Sequence, residues 1–541
     1  MTATVSKERK RKVRKRHKRA DKDRFHNQRR AQRPTIAMLV ALLAWTVSFI
    51  ALRMPGAVFS AVPATHTGIM ALSGDAVLGG GLWITAGLFL WIFHQHTLLR
   101  NSRVILICLI AVISAIYATF VQAAGAWVST PWEMVIPYIM PTVLAPILAT
   151  LLLGPYGGVS AGLIATGILA IYTNRSLPIM INGALATMLI AHLAPQIRTR
   201  SKATRICLLA GIAQIPIAML VIFQNHLDGF RFELLALMLT APVLSALLAA
   251  LVALLVLPLL EHVFNISTNI SLLEFSDLGH PLLQRLALEA PGTYHHSLVV
   301  ANIAQSAAES IGANGLEARI SAYFHDIGKL TKPEFFAENM FNRSNPHDQI
   351  NPNMSTLIIT SHVKEGLSMA QLYKLPPCVH RAIQEHHGTT VLQCFHHKAV
   401  TSQQELALHD IPNKPLDDSH FRYAGPKPST RISAIICLAD AVEAASRCIA
   451  KPTPANLEDL VDDIVRRRLD DGQLDVCELT LLELYKVKRA FVFTLANMLH
   501  GRVAYPSNHE NTNPKSAETD IDPTNRTSES DFATSATRVS A

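Results

Sequence analysis

Five short phrases in the second half of the chain carry histidine and aspartate side chains that could bind metal ions. They are Tyr294-His295-His296-Ser297, His325-Asp326-Ile327-Gly328-Lys329, Ser361-His362-Val363, Glu385-His386-His387-Gly388 and Leu438-Ala439-Asp440. Neutral imidazole and carboxylate ligands suit iron, manganese, zinc and similar divalent ions, and the absence of Cys from these phrases argues against a thiolate site. The phrases together form a candidate metal centre.

The adjacent His325-Asp326 pair suits a centre with two ions. Each carboxylate oxygen of Asp326 could bind one ion, while His325 completes the ligands of one of them. Two ions about 3.5–4 Å apart can clamp phosphate oxygens and lower the pKa of a bound water to near neutral. Such a centre would supply the nucleophile for phosphoester hydrolysis without a Ser or Cys.

The residues alone do not rank these phrases above others of similar composition. His347-Asp348, His396-His397 and His409-Asp410 resemble them, although Asn345-Pro346 places the first of these in a predicted loop. Adjacent residues on a helix also point about 100° apart, so only one of two neighbouring histidines faces a given site. The choice between His295 and His296 therefore stays open at this level.

The scaffold around these phrases is predicted to be all-α. Residues 261–505 have ordinary charge and helical periodicity, with no run of alternating strands. We predict a linker helix at 261–285, a catalytic domain at 286–505 and a disordered polar tail at 506–541. Within the domain, amphipathic helices are predicted near 297–311, 316–329, 430–449 and 478–500.

The first half has the composition of a polytopic membrane bundle. Half of the 541 residues are hydrophobic and only 16% are charged, which is too apolar for an ordinary soluble enzyme. A transmembrane domain of about eight spans is predicted over 35–260, each approaching the about 20 residues that a helix needs to cross the hydrocarbon. The apolar stretches lie near 35–53, 77–95, 104–122, 133–153, 156–172, 178–195, 206–224 and 234–260. The fourth contains three prolines and should be kinked or broken.

The distribution of charge predicts the orientation of the chain. Residues 1–33 hold fifteen Lys and Arg against three acids, so 1–34 reads as a basic cytoplasmic tail and the rest of the chain is slightly acidic. Arg and Lys also concentrate in alternate loops, at 100–103 and 198–205. An even number of spans then places the catalytic domain in the cytoplasm. The expected location of the protein is the plasma or inner membrane. The seven cysteines include no CxxC pair and read as reduced thiols, in agreement with that compartment.

The order and spacing of the histidines and aspartates resemble the HD superfamily, and the sequence motifs around them resemble the seven-transmembrane HD family. These motifs are the segments 290–297 and 323–329, Asn345-Pro346-His347-Asp348, the segment 385–389 and Phe421-Arg422-Tyr423-Ala424-Gly425-Pro426-Lys427-Pro428. The resemblance is strong over 265–505 and holds for the membrane half in its general plan.

The resemblance implies a cytoplasmic, all-helical HD domain with two divalent ions, iron or manganese, that hydrolyses cyclic di-AMP to linear pApA. Matched residue by residue, Asp326 would bridge the ions; His296, His325 and Asp440 would hold one ion, and His362, His386 and His387 the other. The spacing of the family motif selects His296 over His295. Lys329 is expected to act with Asp326 in catalysis as a phosphate or water contact, and a solvated helix residue is the alternative.

Two features bear on how far this resemblance extends. Family members usually carry a large extracellular domain after the first span, whereas here about two dozen residues at 54–76 fill that gap, so control through an external sensor is in doubt. An acidic, polar segment from about Thr401 to Asp418, between His387 and Asp440, also looks like an inserted loop. The expected partners are a cyclic dinucleotide and the lipid bilayer, with no nucleic acid polymer, and the sequence allows a homo-oligomer.

Two alternatives to the leading function stay open. One is another HD phosphohydrolase, acting on cyclic di-GMP or a nucleotide, and the other is a membrane receptor that binds a nucleotide without cleaving it. Thr389-Thr390 follows Gly388 where the cyclic di-GMP class typically has Gly-Tyr-Pro, which disfavours that class. All seven implied ligands are acidic or imidazole, which disfavours a non-catalytic receptor.

Overall fold

The computed structural model describes residues 66–98, 100–125, 138–173, 176–193, 197–225, 232–340, 344–408, 417–449 and 453–500. These residues are mostly helical, and the one extended pairing among them is an isolated bridge between Val391 and Arg422. The all-α prediction is therefore confirmed for the described ranges. The basic tail at 1–34, the first predicted span at 35–53 and the tail at 506–541 lie outside them. All but residues 497–500 belong to one compact unit, Met1–Ala496.

The first half is a bundle of apolar helices. Its helices are α1 His66–Phe93, α2 Gln95–Leu98, α3 Asn101–Gly125, α4 Leu144–Leu153, α5 Pro155–Tyr172, α6 Leu177–Leu193, α7 Arg200–Ala213, α8 Ile215–Asn225 and α9 Phe232–Phe264. Within the described ranges, three segments are long and apolar enough to cross a membrane: Asn101–Val121, Arg200–Leu220 and Leu235–Phe264. Four shorter apolar helices coincide with the other predicted stretches after residue 76. The positions of these seven stretches agree with the prediction, whereas the count of about eight spans stays a prediction.

The proline-rich fourth stretch is broken, as its composition predicts. The backbone at 140–143 is irregular and buried before α4 begins at Leu144. Helices of the same bundle satisfy its polar groups: the Ser245 hydroxyl donates to the carbonyl oxygen of Ile139 at 2.8 Å, and the Thr142 hydroxyl donates to the Gln214 side chain at 3.3 Å. Irregular backbone at membrane depth is tolerated where protein covers its carbonyls in this way.

Small residues let the membrane helices approach closely. A methyl group built on Gly211 of α7 would lie 2.7 Å from the Ala246 Cβ and 2.9 Å from the Pro242 carbonyl oxygen, both on α9. The second of these atoms belongs to the backbone and cannot swing aside. Apolar lipid gives helices little hydrophobic reason to associate, so close van der Waals packing at such small residues stabilises the bundle.

The second half is a compact set of helices around a core of Ala, Ile, Leu and Phe side chains. Its helices are α10 Asn269–Glu274, α11 Pro281–Glu289, α12 Pro291–Ser310, α13 Gly315–Phe324, α14 Pro352–Leu372, α15 Pro377–Glu385, α16 Gln393–Leu408, α17 Arg431–Ser446, α18 Pro454–Asp470 and α19 Leu481–His500. Side chains cap several N-termini, including Asn314 for α13 and Thr430 for α17. Helix α12 packs between α13 and α17, so their facing sides line one site.

The structure corrects the prediction for three segments, which are the linker, the end of one helix and a predicted loop. The predicted linker helix at 261–285 is instead the end of α9 followed by α10 and part of α11, because Asn265 adopts positive φ and Thr268 caps a new helix. The helix predicted over 316–329 ends at Phe324 and gives way to a 3-10 helix at Ile327–Thr331. The polar stretch from Thr401, expected to be an inserted loop, is helical as far as Leu408.

The contact at Gly211 predicts a specific loss of stability. Gly211→Ala should lower the apparent melting temperature of the detergent-solubilised protein by several degrees, because overpacking a fixed contact costs about 1–3 kcal/mol. Gly87→Ala is the matched control, since nothing lies within 4 Å of a methyl group at that membrane-helix position. Equal melting temperatures for the two variants would contradict the close packing of α7 on α9.

Candidate metal centre

The structure brings all seven predicted ligand residues together, from segments far apart in the sequence. His296 lies on α12, His325 and Asp326 follow α13, His362 lies on α14, His386 and His387 follow α15, and Asp440 lies on α17. All are buried or nearly so, with His387 the most exposed at 18% of its side chain. Helix ends therefore supply four of the seven, because a residue at a helix end can point along the helix axis into a shared centre.

Asp326 lies between two groups of these residues. In one group, ligand atoms of His296, His325, Asp326 and Asp440 lie within 4.8 Å of one another; in the other, so do those of Asp326, His362, His386 and His387. The Oδ2 atom of Asp326 lies 3.2 Å from His325 Nε2, and its Oδ1 atom lies 3.5 Å from the Nε2 atoms of His362 and His386. The two groups match the two sets that the resemblance implies, with one carboxylate oxygen directed at each.

Backbone carbonyls fix the orientation of three of the imidazoles. The Nδ1 atom of His325 donates to the carbonyl oxygen of Ala322 at 2.7 Å, and that of His362 donates to Ile359 at 2.6 Å. His386 Nδ1 donates to the Ala382 and Ile383 carbonyls at 3.0 and 2.9 Å. Because each ring proton is on Nδ1, each Nε2 lone pair is left to face the centre, which is the tautomer that a metal-binding histidine needs.

These lone pairs fit a bound cation. The Nε2 atoms of His362 and His386 lie 3.3 Å apart, and neither carries a proton to share when both Nδ1 atoms donate to the backbone. The Nε2 atom of His325 and the Oδ1 atom of Asp326 are buried with no hydrogen-bond partner among the described residues. Buried acceptors that face one another without a donor are unfavourable unless a cation lies between them. The residues present therefore fit divalent ions with nitrogen and oxygen ligands.

Charges within the centre shift the pKa values of its members in opposite directions. Burial disfavours the charged form of His325, but Asp326 and Asp440 raise its pKa to about 10, so its Nε2 atom holds a proton that a bound metal ion would displace. Burial also opposes ionisation of Asp326, yet His325 and Lys329 hold the pKa of that carboxyl well below its usual range. Burial lowers the pKa of His362 to about 4. The carboxylates are thus charged, and His362 is neutral, at physiological pH.

Lys329 is held against the centre and is not a solvated helix residue. Its ammonium lies 2.8 Å from Asp326 Oδ2 and 2.7 Å from Glu338 Oε1, with 12% of the side chain exposed. The two carboxylates raise the pKa of Lys329, against the effect of burial. A permanent cation therefore borders both the ligand groups and the adjoining cavity, while its predicted role in catalysis stays a prediction.

Gly328 explains why the helix predicted over 316–329 stops short. A side chain here would overlap the carbonyl group of His362 and the backbone nitrogen of Gly366, both on α14. The 3-10 helix at Ile327–Thr331 therefore packs backbone to backbone on α14. This contact fixes the separation between Asp326 and His362, which belong to the same group.

The other His-containing pairs named above are either remote from these groups or not described. His347 is buried, but its Nε2 bonds to the Phe335 carbonyl oxygen, and Asp348 forms an ion pair with Lys398. His396 pairs with Asp418, and His409-Asp410 lies outside the described residues. His295 is exposed whereas His296 is buried in the centre, in agreement with the choice made from the family spacing.

Two buried glutamates near the centre were missed by sequence reasoning. Glu443, one turn beyond Asp440 on α17, accepts a hydrogen bond from Nδ1 of His296 and thus directs its Nε2 towards Asp440 at 3.0 Å. Glu385 accepts from the backbone nitrogen and hydroxyl of Ser429 and so ties the end of α15 to the segment before α17. The Asp440-x-x-Glu443 spacing was the available signal, since residues three apart share a helix face.

A large open cavity adjoins the two groups. It has a volume of about 1190 Å³, and its lining includes His296, Lys329, His362, His387 and Asp440. The ring of Tyr423 stacks on His387 with centroids 4.2 Å apart and forms part of the wall. The volume of the cavity lies just above the usual range for small-molecule sites.

The fold and the centre define the class of this half of the chain, and sequence comparisons agree. Residues 293–445 match the HD domain, a class of metal-dependent hydrolase domains. Residues 69–268 match the family described as 7TM receptor with intracellular HD hydrolase. The chain is thus similar to seven-transmembrane HD proteins over these two segments, and together with its long apolar helices this similarity indicates a membrane protein.

Two relatives are both named Cyclic-di-AMP phosphodiesterase PgpH. The Bacillus subtilis (strain 168) protein is 39% identical over 298 residues, which are 55% of this chain and 40% of that protein. The Listeria monocytogenes serotype 1/2a (strain 10403S) protein is 33% identical over 385 residues, 69% of this chain and 51% of that protein. The chain thus spans about half or less of the length of these relatives.

A solved structure also matches part of the chain. The crystal structure of the L. monocytogenes PgpH HD domain in complex with cyclic-di-AMP is 38% identical, with a TM-score of 0.38. The match covers 41% of this chain and 99% of that domain.

The position of Glu443 predicts an effect on metal binding. Glu443→Ala should weaken binding of manganese about 10- to 100-fold, because His296 loses the partner that orients it, as for other carboxylates behind a histidine ligand. Glu443→Gln should give an intermediate loss, since its amide oxygen still accepts the Nδ1 proton but carries no charge. Competition with a chelator measures both affinities.

Glu483→Ala is the matched control, because Glu483 forms its ion pair with Arg431 outside the centre. Wild-type affinity in Glu443→Ala, in a preparation where His296→Ala loses affinity, would contradict a role for Glu443 in orienting that histidine.

Proposed function

We propose that this protein is a membrane-anchored, metal-dependent phosphodiesterase that hydrolyses cyclic di-AMP to linear pApA. The observation that carries the proposal is the pair of ligand groups that share Asp326 and open onto one large cavity. Phosphodiester hydrolysis needs charge neutralisation on the phosphoryl oxygens and an activated water, and paired ions supply both. The similarity to two relatives named as cyclic-di-AMP phosphodiesterases supports cyclic di-AMP as the substrate.

The ligand assignment proposed here follows the two groups. His296, His325 and Asp440 would hold one ion, His362, His386 and His387 the other, and Asp326 would bind both through its separate oxygens. Imidazole and carboxylate donors suit iron or manganese, and none of the seven is a thiol. The geometry that supports this assignment is the convergence of the Nε2 atoms of His325, His362 and His386 on the two oxygens of Asp326.

The residues of the chain perform three tasks in this proposal. The backbone hydrogen bonds of His325, His362 and His386 hold their Nε2 atoms in place without a conformational search during the reaction. Lys329 remains charged beside the cavity, where its ammonium can donate to a phosphoryl oxygen. Tyr423 and Phe336 contribute apolar surface to the wall of the cavity beside the ligand groups.

The proposed topology follows the sequence expectations. Spans at 35–260 anchor a linker at 261–285 and the HD domain at 286–505, in a plasma or inner membrane with the N-terminus and the HD domain in the cytoplasm. All seven cysteines are free, in agreement with a reducing compartment. Arg103 and Arg200 lie at the start of helices at the end of the bundle nearest the HD domain, where the positive-inside rule places the cytoplasm.

The proposal predicts that metal and activity are lost together. The full chain in detergent, loaded with manganese or iron, should convert cyclic di-AMP to pApA in preference to cyclic di-GMP, as followed by chromatography. His325→Ala with Asp326→Ala should abolish turnover and release the metal, because the second change removes the only residue shared by both groups. Metal content is measured on the same preparations.

The matched control changes a His-Asp pair outside the centre, with His347→Gln and Asp348→Asn, and should keep both metal and turnover. Hydrolysis of a different nucleotide would preserve the site and replace the substrate. Tight binding of cyclic di-AMP without product, in a sample shown to hold metal, would favour a receptor and exclude the proposed enzyme.

A further inference from the structure

The cavity extends from the ligand groups to a wall that carries four arginines. They are Arg422, Arg447, Arg467 and Arg468. Arg447 follows α17, whereas Arg467 and Arg468 lie in the last turn of α18. The elements that form this wall are therefore different from those that position Asp326. The wall faces the part of a bound ligand that lies outside the two ligand groups.

Three of these arginines have carboxylate partners. Arg422 lies 3.0 Å from Asp471 and also donates to the carbonyl oxygen of Thr389, Arg447 lies 2.7 Å from Glu443, and Arg467 lies 2.6 Å from Asp463. Their charges are already balanced within the protein. These residues are thus explained by the fold without any ligand.

Arg468 differs from its neighbours. Its side chain forms no ion pair or hydrogen bond with any part of the chain that the structure describes, although it lines the cavity and is partly buried. Tyr423, which stacks on His387 of the second ligand group, lines the same cavity. A guanidinium in the cavity wall that no carboxylate of the described residues neutralises is available to an anionic ligand.

The proposed substrate contains a second phosphodiester group that does not bind at the ligand groups while the first one reacts there. A cyclic dinucleotide carries two phosphodiester groups, and only one can react at a time. The other enters a cavity whose lining includes Asp440, Glu443, Asp470 and Asp471, and these carboxylates would repel it. Its binding therefore requires a cation that the protein has not already neutralised.

We propose that Arg468 binds the phosphodiester group of the cyclic dinucleotide that is not being cleaved, an inference that rests on the proposed function. The planar guanidinium can donate two parallel hydrogen bonds to the two unesterified oxygens of that group. The contact positions the substrate and distinguishes a dinucleotide ring with two phosphates from a ligand with one. Arg468 is a binding residue in this scheme, since the contact is the same before and during the reaction.

The test compares two substrates on the full chain in detergent, loaded with manganese. Cyclic di-AMP has two phosphodiester groups, and bis(p-nitrophenyl) phosphate has one. Arg468→Gln should raise KM for cyclic di-AMP about tenfold or more with little change in kcat, because a charge-assisted bond of equal strength in the bound and transition states is lost. The same variant should hydrolyse bis(p-nitrophenyl) phosphate with the wild-type kcat/KM.

Two further variants sharpen the comparison. Arg468→Lys should recover part of the affinity for cyclic di-AMP, since it restores the charge without the paired donors. Arg466→Gln removes the same charge from the same helix at an exposed position that does not line the cavity, and should behave as wild type with both substrates.

The outcomes separate this inference from the proposed function. Equal losses on both substrates, or no loss on cyclic di-AMP, would overturn the role of Arg468. If metal-loaded wild type does not cleave cyclic di-AMP, equilibrium dialysis of that preparation with cyclic di-AMP replaces KM. Affinity that depends on Arg468 would then keep the phosphate site and exclude the proposed enzyme, whereas no binding, or equal binding by Arg468→Gln, would exclude both.

Discussion

The arrangement of the HD half depends on one electrostatic constraint, the convergence of hydrogen-bond acceptors on Asp326. Three Nε2 lone pairs approach its two oxygens at 3.2 to 3.5 Å, and two of those nitrogens face each other without a proton between them. Such a cluster repels itself in a buried site unless cations occupy it. The protein supports it with donors on the other side of each ring, where backbone carbonyls hold the Nδ1 protons, and with Lys329 against one oxygen of Asp326.

This constraint accounts for local features that would otherwise be irregular. Asp326 lies between a helix and a 3-10 helix, because a residue in the middle of α13 could not direct one oxygen to each group. The backbone of Gly328 lies against α14, which only a residue without a side chain allows. Glu385 closes the opposite side by accepting two hydrogen bonds from Ser429, so that His386 and His387 are fixed relative to α17. Each of these contacts restricts the conformation of the chain and thereby fixes a distance between residues of the centre.

Composition and periodicity predicted the helical class and the apolar first half. The seven residues of the centre came instead from the family resemblance, because the residues alone did not rank the five phrases above other histidine-containing pairs. The sequence did not predict Glu443 or Glu385, since a glutamate on a helix of ordinary charge carries no mark of burial. It also extended α13 through Lys329, because helix periodicity continues past Phe324 while the close contact at Gly328 is a tertiary effect. The choice of His296 over His295 needed the family spacing, because both residues lie in the same turn of α12.

The contacts that connect the two halves of the chain differ in how much they stabilise the connection. Arg200 pairs with Glu274 at 2.7 Å, but both side chains are more than half exposed, and such pairs contribute about 0–1 kcal/mol. Glu261, near the end of α9, instead accepts from the Thr268 backbone nitrogen at 2.8 Å and from the Ser271 hydroxyl at 2.6 Å, in a partly buried position.

From there the connection continues to the metal centre by short steps. Asn314, which caps α13, donates to Asn269 on α10 at 2.7 Å, and the far end of α13 carries His325. His280 packs edge-on against Phe324, the residue before that histidine. Helix α13 therefore links the two halves. Its N-terminal end is bonded through α10 to the last membrane helix, α9, and its C-terminal end is followed by His325, a predicted ligand of the centre. The position of the centre relative to the membrane half is consequently set by Glu261 and α13 more than by the exposed ion pair, because only the former contacts are shielded from solvent.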